Sequence, residues 1–273
     1  MSLHAQAEFL AERVERPIYY ASSAGRNAVH EIDQPMSRIE IEVNDARERA
    51  DAHNVGEFGM HASGFDLLEF PTQVQDFLDA EAVASSYEAE VEAFLKSVTG
   101  CGRVHIFDHT VRASDAELRE RMQVREPASL VHNDYTAKSG FTCLRENLGA
   151  DAARLAQGRF QILNIWRPLV DPVEDYPLAL CDTRSIDRLD LIDSERRAPN
   201  HIGEIQLAVH NAGQRWFYFS AMRPPEVLLF KTFDSRDDGV QPCSIHSAIH
   251  LPQAPADARP RESVESRAFV FYE

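Results

Sequence analysis

Val131-His132-Asn133-Asp134-Tyr135-Thr136 is the stretch that decides the fold. In an extended segment, residues i and i+2 point to the same face, so the imidazole of His132 and the carboxylate of Asp134 converge. Two ligands of one cation are thereby fixed locally, and a third must arrive from a distant strand. The best candidate is His246, in Cys243-Ser-Ile-His-Ser-Ala-Ile-His-Leu-Pro252. Two imidazoles and a carboxylate on one face of an octahedron leave three positions open, the arrangement of non-haem Fe(II) oxygenases. An early His-x-Asp strand and a next-to-last His strand meet in a double-stranded β-helix, a jelly-roll, cupin-like core.

The surrounding sequence agrees with that scaffold. From Arg103 onward, short apolar runs recur between turns: Val104 to Phe107, Ala128 to Asn133, Arg159 to Trp166, Leu178 to Cys181, Gln214 to Ala221, Glu226 to Phe233, Cys243 to Leu251 and Ser263 to Tyr272. Ala113 to Val124 and Thr142 to Ala156 read as helices, and Arg184 to Glu204 as a polar connection able to act as a lid. Before residue 100 the texture is mixed. Ser37 to Val43 alternates as a half-buried strand, and Asn44 to His53 reads as a capped helix. Gly64 to Leu68 reads as a strand or turn, and Pro71 to Phe77 as a helix opened by proline. Ala80 to Ser97 is the clearest helix, with Val83, Tyr87, Val91, Phe94 and Leu95 on one stripe. The expected class is mainly β with flanking helices. Residues 1–273 are read as one catalytic domain, with mixed decoration over about 1–100 and the β-helix core over about 101–273.

Composition narrows the partners. With 28 Lys and Arg against 44 Asp and Glu, the formal charge is −16, and no basic block interrupts it. Nucleic acid and anionic membranes would be repelled. Cys101, Cys143, Cys181 and Cys243 lie far apart without CxxC spacing, so reduced thiols are expected. The first residues lack the basic and apolar parts of a secretory signal, and no run approaches a membrane span, so the expected location is the cytoplasm. A homo-oligomer is allowed by this composition.

The last strand supplies an anchor. Arg261, Ser263, Glu265 and Arg267 share one face by period two. Inward guanidiniums without an anionic partner are costly, so this face asks for a dicarboxylate such as 2-oxoglutarate, with Arg261 and Ser263 on its far carboxylate and Arg267 beside them. The competing reading turns Arg261 to solvent and pairs Arg267 with Glu265 or Glu262. On Arg159 to Trp166, Asn164 and Trp166 share a face, so Asn164 is a candidate to hold co-substrate, while core packing is the stronger reading for Trp166. Arg167 is a candidate for an acidic substrate, and Tyr135 for support beside the ligands. The His105/His109 and His246/His250 pairs have the i, i+4 spacing of helical zinc ligands, but on strands those positions lie about 13 Å apart. Gly100-Cys-Gly102 follows a helix and precedes a strand, the wrong order for a nucleotide loop and the right one for a helix C-cap.

With those residues in place, the chain resembles the Fe(II)/2-oxoglutarate-type oxygenases related to cephalosporin 7α-methoxylation proteins and to fungal hydroxylase/desaturase-like and endoperoxide-forming enzymes. The ordered motifs are Phe107-Asp-His-Thr-Val-Arg112, Val131 to Thr136, Asn164-Ile-Trp-Arg-Pro-Leu169, Pro177 to Ser185, Trp216-Phe-Tyr-Phe219, Phe230 to Ser235, His246-Ser-Ala-Ile249 and Arg261 to Arg267. One departure is His246-Ser-Ala-Ile249 where the family usually has His-Thr-Ala-Phe, a change beside the ligand that bears on substrate shape. The resemblance implies Fe(II) and 2-oxoglutarate, dioxygen, and hydroxylation or desaturation of a small molecule of specialised metabolism. Two alternatives stay open: an iron oxidase that does not use 2-oxoglutarate, and a non-catalytic accessory protein of a methoxylation system.

Overall fold

The computed structural model describes residues 2–21, 30–47, 58–199, 201–236 and 243–272. Two sheets curl face to face. The smaller has the order β5 (Phe65–Glu69), β13 (Glu226–Asp234), β8 (Phe160–Pro168), β15 (Glu262–Phe271), β6 (Arg103–Ala113). The centre of the larger is β7 (His132–Asn133), β14 (His246–Ala248), β9 (Leu178–Cys181) and β12 (Trp216–Tyr218). Within the set β6 to β9 and β12 to β15, every pairing is antiparallel, and consecutive strands alternate between sheets except at β9 and β12, which are neighbours in the larger one. This is the jelly roll expected from sequence. All eight strands lie within or across the stretches read as strands.

The larger sheet extends at both edges. On one side β4 (Met36–Asp45) runs parallel to β12 and carries β1 (Ser2–Leu10). On the other, β7 pairs with β11 (His201–Ala208), followed by β10 (Leu191–Ala198), β2 (Ile18–Ala21) and β3 (His30–Ile32). The N-terminal strands are therefore built into the sheet.

Strand β8 shows how period two sorts the interior. Leu163, Ile165 and Arg167 face outward, where α1 (Glu88–Thr99) packs, while Trp166 faces the apolar layer between the sheets with Phe65, Leu180, Phe217 and Phe230. The helix stripe read from sequence is the one buried. Val83, Tyr87, Val91 and Leu95 pack on Leu163, Ile165, Val227 and Leu229, and Phe94 stacks on Phe70 at 4.3 Å between ring centroids. Asp79 caps the lead-in Ala80–Ala82, a π turn over Val83–Tyr87 follows, and Gly100 ends α1 in the left-handed region at φ 68°.

Four expectations need correction. Pro71 to Phe77 is not helical. Thr72 Oγ1 and the Gln73 amide donate instead to Glu90 of α1, which diverts the groups a first helical turn would use. Helix α2 (Ala116–Met122) falls as expected, but the next, α3 (Ala137–Leu148), starts before Thr142, and the expected span is completed by a 3-10 turn over Gly149–Asp151 and a short helix over Ala152–Leu155. Its signal is the box Thr136/Ser139, in which each side-chain oxygen accepts from the other's backbone amide at 2.9 and 2.8 Å. Arg184 to Glu204 is largely the β10–β11 hairpin rather than a loop, because Ile192, Ser194, Ile205 and Leu207 bury one face of it. Asn44 belongs to β4, and residues 48–53 of the helix expected there lie outside the described residues.

Candidate metal centre

Strands β7 and β14 bring His132 and His246 into direct register, and Asp134 follows one residue past β7. The two imidazole centroids are 4.4 Å apart, and His132 Nε2 lies 3.5 Å from Asp134 Oδ1. One donor atom from each of His132, Asp134 and His246 lies within 4.8 Å of the others, close enough for one metal ion. The rings are held by their other nitrogens. His132 Nδ1 lies 2.8 Å from the Leu130 carbonyl oxygen, and His246 Nδ1 lies 3.3 Å from that of Ser244. A carbonyl can only accept, so Nδ1 carries the proton and Nε2 keeps its lone pair for a cation.

The electrostatics favour ligation. Burial, then the charge of His132, pushes the imidazole of His246 down to about 3, leaving it neutral near pH 7. Burial alone would raise the Asp134 carboxyl, but the Arg267 guanidinium and then the hydrogen bond with His132 hold it well below the usual carboxylate range. Asp134 Oδ2 accepts from Arg267 Nε at 3.0 Å and from Asn164 Nδ2 at 2.8 Å, which leaves Oδ1 toward the imidazoles. The donor set therefore suits a divalent cation, with neutral imidazole, ionised carboxylate and the outer partners that fix their orientation. His132 and Asp134 lie on the wall of a cavity of about 530 Å³, so the centre opens onto space of small-molecule size.

The anchor residues divide. Arg261 is buried, and all its side-chain partners are neutral. Nε and Nη2 donate to Ser263 Oγ at 3.2 and 3.0 Å, Nη1 donates to the Tyr176 carbonyl at 2.8 Å, and the guanidinium lies 5.0 Å from the Trp166 ring centroid. Burial, then Arg112, pushes this guanidinium down to about 9, the mark of a cation short of negative partners. Trp166 packs in the core as expected, yet its buried Nε1–H has no acceptor. An unmet donor and an unmatched guanidinium at one place fit a carboxylate guest. Ser263 is buried beside them.

Three sequence assignments meet other partners in the structure. Arg267 is not available to a co-substrate, because Asp134, Asp108 at 2.5 Å and Glu265 occupy its three nitrogens. The pairing with Glu265 read as the alternative is the one present. Asn164 has both ends of its amide engaged, Nδ2 by Asp134 and Oδ1 by Thr232 Oγ1 at 3.1 Å. It orients the carboxylate rather than a ligand. Arg167 lies on the outward face of β8, where it donates to the Phe70 and Pro224 carbonyls and stacks on Phe70 and Tyr87, so it fastens the α1 layer to the sheet. Tyr135 lines the cavity next to Asp134, its hydroxyl kept protonated chiefly by burial. His250 pairs with Asp175 and His109 with Ser266, so neither zinc-like pair forms. Sequence reasoning passed over three cavity-lining arginines, Arg112, Arg125 and Arg196. Arg112 ended a quoted motif and Arg196 sat in the presumed polar connection. Nothing in the periodicity marked Arg125.

The family model described as Oxidoreductase/YMDC permease-like domain matches residues 8–271. The Fe(II)/2-oxoglutarate-dependent dioxygenase nvfI of Aspergillus novofumigatus is 34% identical over 241 residues, covering 85% of this chain and 82% of the relative. The hydroxylase/desaturase efuI of Hormonema carpetanum is 33% identical over 257 residues, covering 85% and 83%. A solved structure of the iron and alpha-ketoglutarate-dependent endoperoxidase NvfI superposes with a TM-score of 0.85 at 29% identity, over 99% of this chain and 98% of that one. The chain belongs to the family of Fe(II)/2-oxoglutarate-dependent dioxygenases.

Proposed function

We propose that this protein oxidises a small molecule of specialised metabolism by hydroxylation or desaturation, using Fe(II), 2-oxoglutarate and dioxygen, with His132, Asp134 and His246 as the iron ligands. The observation that carries the assignment is the trio itself: two imidazoles locked through Nδ1 and one carboxylate locked through Oδ2, all offering their remaining donor to one point beside a cavity. Iron bound there, with 2-oxoglutarate and dioxygen, supplies the oxidation of a C–H bond coupled to decarboxylation of the oxo acid. The chain's own part is positioning. Arg267 and Asn164 fix the ionised carboxylate, Leu130 and Ser244 fix the rings, and Arg261, with Ser263 and the free Trp166 Nε1–H, takes the far carboxylate of the co-substrate. Tyr135 closes the wall next to Asp134 and excludes water from that side.

Residues 1–273 act as one catalytic unit in this reading, supported by the pairing of β1 and β4 onto the jelly-roll sheet. Four free thiols support a reducing, cytoplasmic setting. No described helix is long and apolar enough to cross a membrane. The acidic balance argues against nucleic acid or an anionic membrane as partner, and a homo-oligomer is compatible with the reading.

Anaerobic titration with Fe(II) and 2-oxoglutarate tests the assignment. A metal-to-ligand charge-transfer band is expected in the wild type and absent in His132→Ala and His246→Ala. Full co-substrate binding in both variants would remove the ligand assignment. Oxygen consumption with no succinate formed would point instead to an oxidase that does without the oxo acid.

A further inference from the structure

The cavity that His132 and Asp134 open onto is unevenly charged in a way the iron chemistry does not use. Among the described residues its wall carries six carboxylates. Asp108 and Asp134 belong to Arg267, Glu204 to Lys138 at 2.7 Å, and Glu146 to His201 at 3.4 Å, while Glu8 and Glu126 face Arg38 and Arg119 at 3.9 Å. Arg112, Arg125 and Arg196 have no carboxylate partner among the described residues. Arg112 Nη1 donates only to the Glu126 carbonyl at 2.8 Å, and the Arg125 and Arg196 side chains make no hydrogen bond there.

The three converge. Arg112 and Arg125 are neighbours across an isolated bridge, and Arg196 stands opposite Tyr19 in the β10–β2 register. All three line the same cavity as Tyr19, whose hydroxyl, raised chiefly by burial, is pulled back by the charges of Arg196, Arg112 and Arg125. Burial and neighbouring cations weigh on the Arg112 and Arg125 guanidiniums, and the acids that offset this, Glu265 and Asp134 for Arg112 and Asp108 for Arg125, make no ion pair with them among the described residues.

We propose that Arg112, Arg125 and Arg196 form an anion-binding end of this cavity, and that the substrate oxidised at the His132, Asp134 and His246 end carries a carboxylate or similarly acidic group. This rests on the oxygenase reading for what happens at the far end, but not for the anion site itself. Planar forks suit a carboxylate, and three of them on one cavity wall give orientation as well as affinity.

The test uses 2-naphthoate and its neutral isostere 2-naphthamide, titrated by fluorescence into the metal-free protein. The wild type is expected to bind the acid at least about tenfold more tightly. In Arg125→Met/Arg196→Met that preference falls to about one, and in Arg125→Lys, which keeps the charge, it is partly retained. Equal affinity in the wild type, or a preference unchanged in the double variant, overturns the proposal. The anaerobic Fe(II)/2-oxoglutarate band is recorded on the same proteins. Its survival in the double variant is expected, and its loss there would reassign these arginines to the co-substrate and overturn the proposal. Absence of the band in the wild type sinks the oxygenase reading while leaving the anion preference to stand or fall alone.

Discussion

Arg261, just ahead of β15, and Arg267 within it live in opposite electrostatic regimes. Three carboxylates neutralise Arg267, and one of them is the candidate ligand Asp134. Arg261 meets a hydroxyl, a carbonyl and an indole ring. The first arginine is structural scaffolding for the metal end, and the second is a cation kept in waiting. Period two tells which residues share a face, but only the facing strands tell what they meet. Arg267 lies across from Asp108 on β6 and Asn164 on β8, positions that no local pattern could connect to it.

The sharpest test of this contrast acts at the ligands. His132→Ala and His246→Ala should reduce turnover to background and erase the charge-transfer band, leaving Arg261 with no iron-bound partner to anchor. Next in size, Arg267→Leu strands Asp134, Asp108 and Glu265 beside one another. Unfolding by urea should reveal a loss of about 3–5 kcal/mol, as expected when one partner of a buried ion network is removed. An effect below about 1 kcal/mol would show that solvent already screens the cluster.

Acid should act in the same direction on the metal-free protein. The folded His246 imidazole titrates at about 3 rather than 6.5, so below pH 6.5 the unfolded chain takes up a proton that the folded one refuses, and stability falls as pH drops toward 3. Asp134 adds to this. Its carboxyl is depressed below 3.8, so its contribution is full above that pH and is lost as pH falls through the lower folded value. Unfolding midpoints at pH 8, 6, 5 and 4 should decline steadily, and a flat profile from 7 to 5 would break the assignment of a buried neutral His246.

Just ahead of β15, Arg261→Ala should weaken 2-oxoglutarate binding about 10- to 100-fold, the worth of hydrogen bonds to a charged group, while the fold survives. Ser263→Ala, which removes only the hydroxyl that steadies this guanidinium, should cost about 0.5–1.5 kcal/mol of co-substrate affinity. If both substitutions leave co-substrate affinity unchanged, the far carboxylate lies elsewhere.

Much of the architecture was legible in the sequence because its signals are local. Short apolar runs gave the eight jelly-roll strands, the Val83 to Leu95 stripe gave the helix layer, and Gly100 gave its end. The candidate ligand trio was legible because His132 and Asp134 are bound by strand period and His246 by its place in the next-to-last strand. What stayed hidden depends on tertiary partners. Arg167 looked like a substrate residue until the sheet turned it under α1, and Asn164 until Thr232 and Asp134 occupied its amide. The β10–β11 hairpin, with its polar outer face, read as a loop because only its inward residues are apolar.

The two-residue strand β7 is shared between two neighbours: His132 pairs with His246 of β14 on one side and with Leu207 of β11 on the other. The hairpin that contributes Arg196 and Glu204 to the cavity wall is thus stitched by its backbone to an imidazole of the candidate centre. A guest that presses on that hairpin strains the same ladder that aims the imidazole. The colour of an iron held there becomes a gauge of whether the cavity is filled, readable before any product is made.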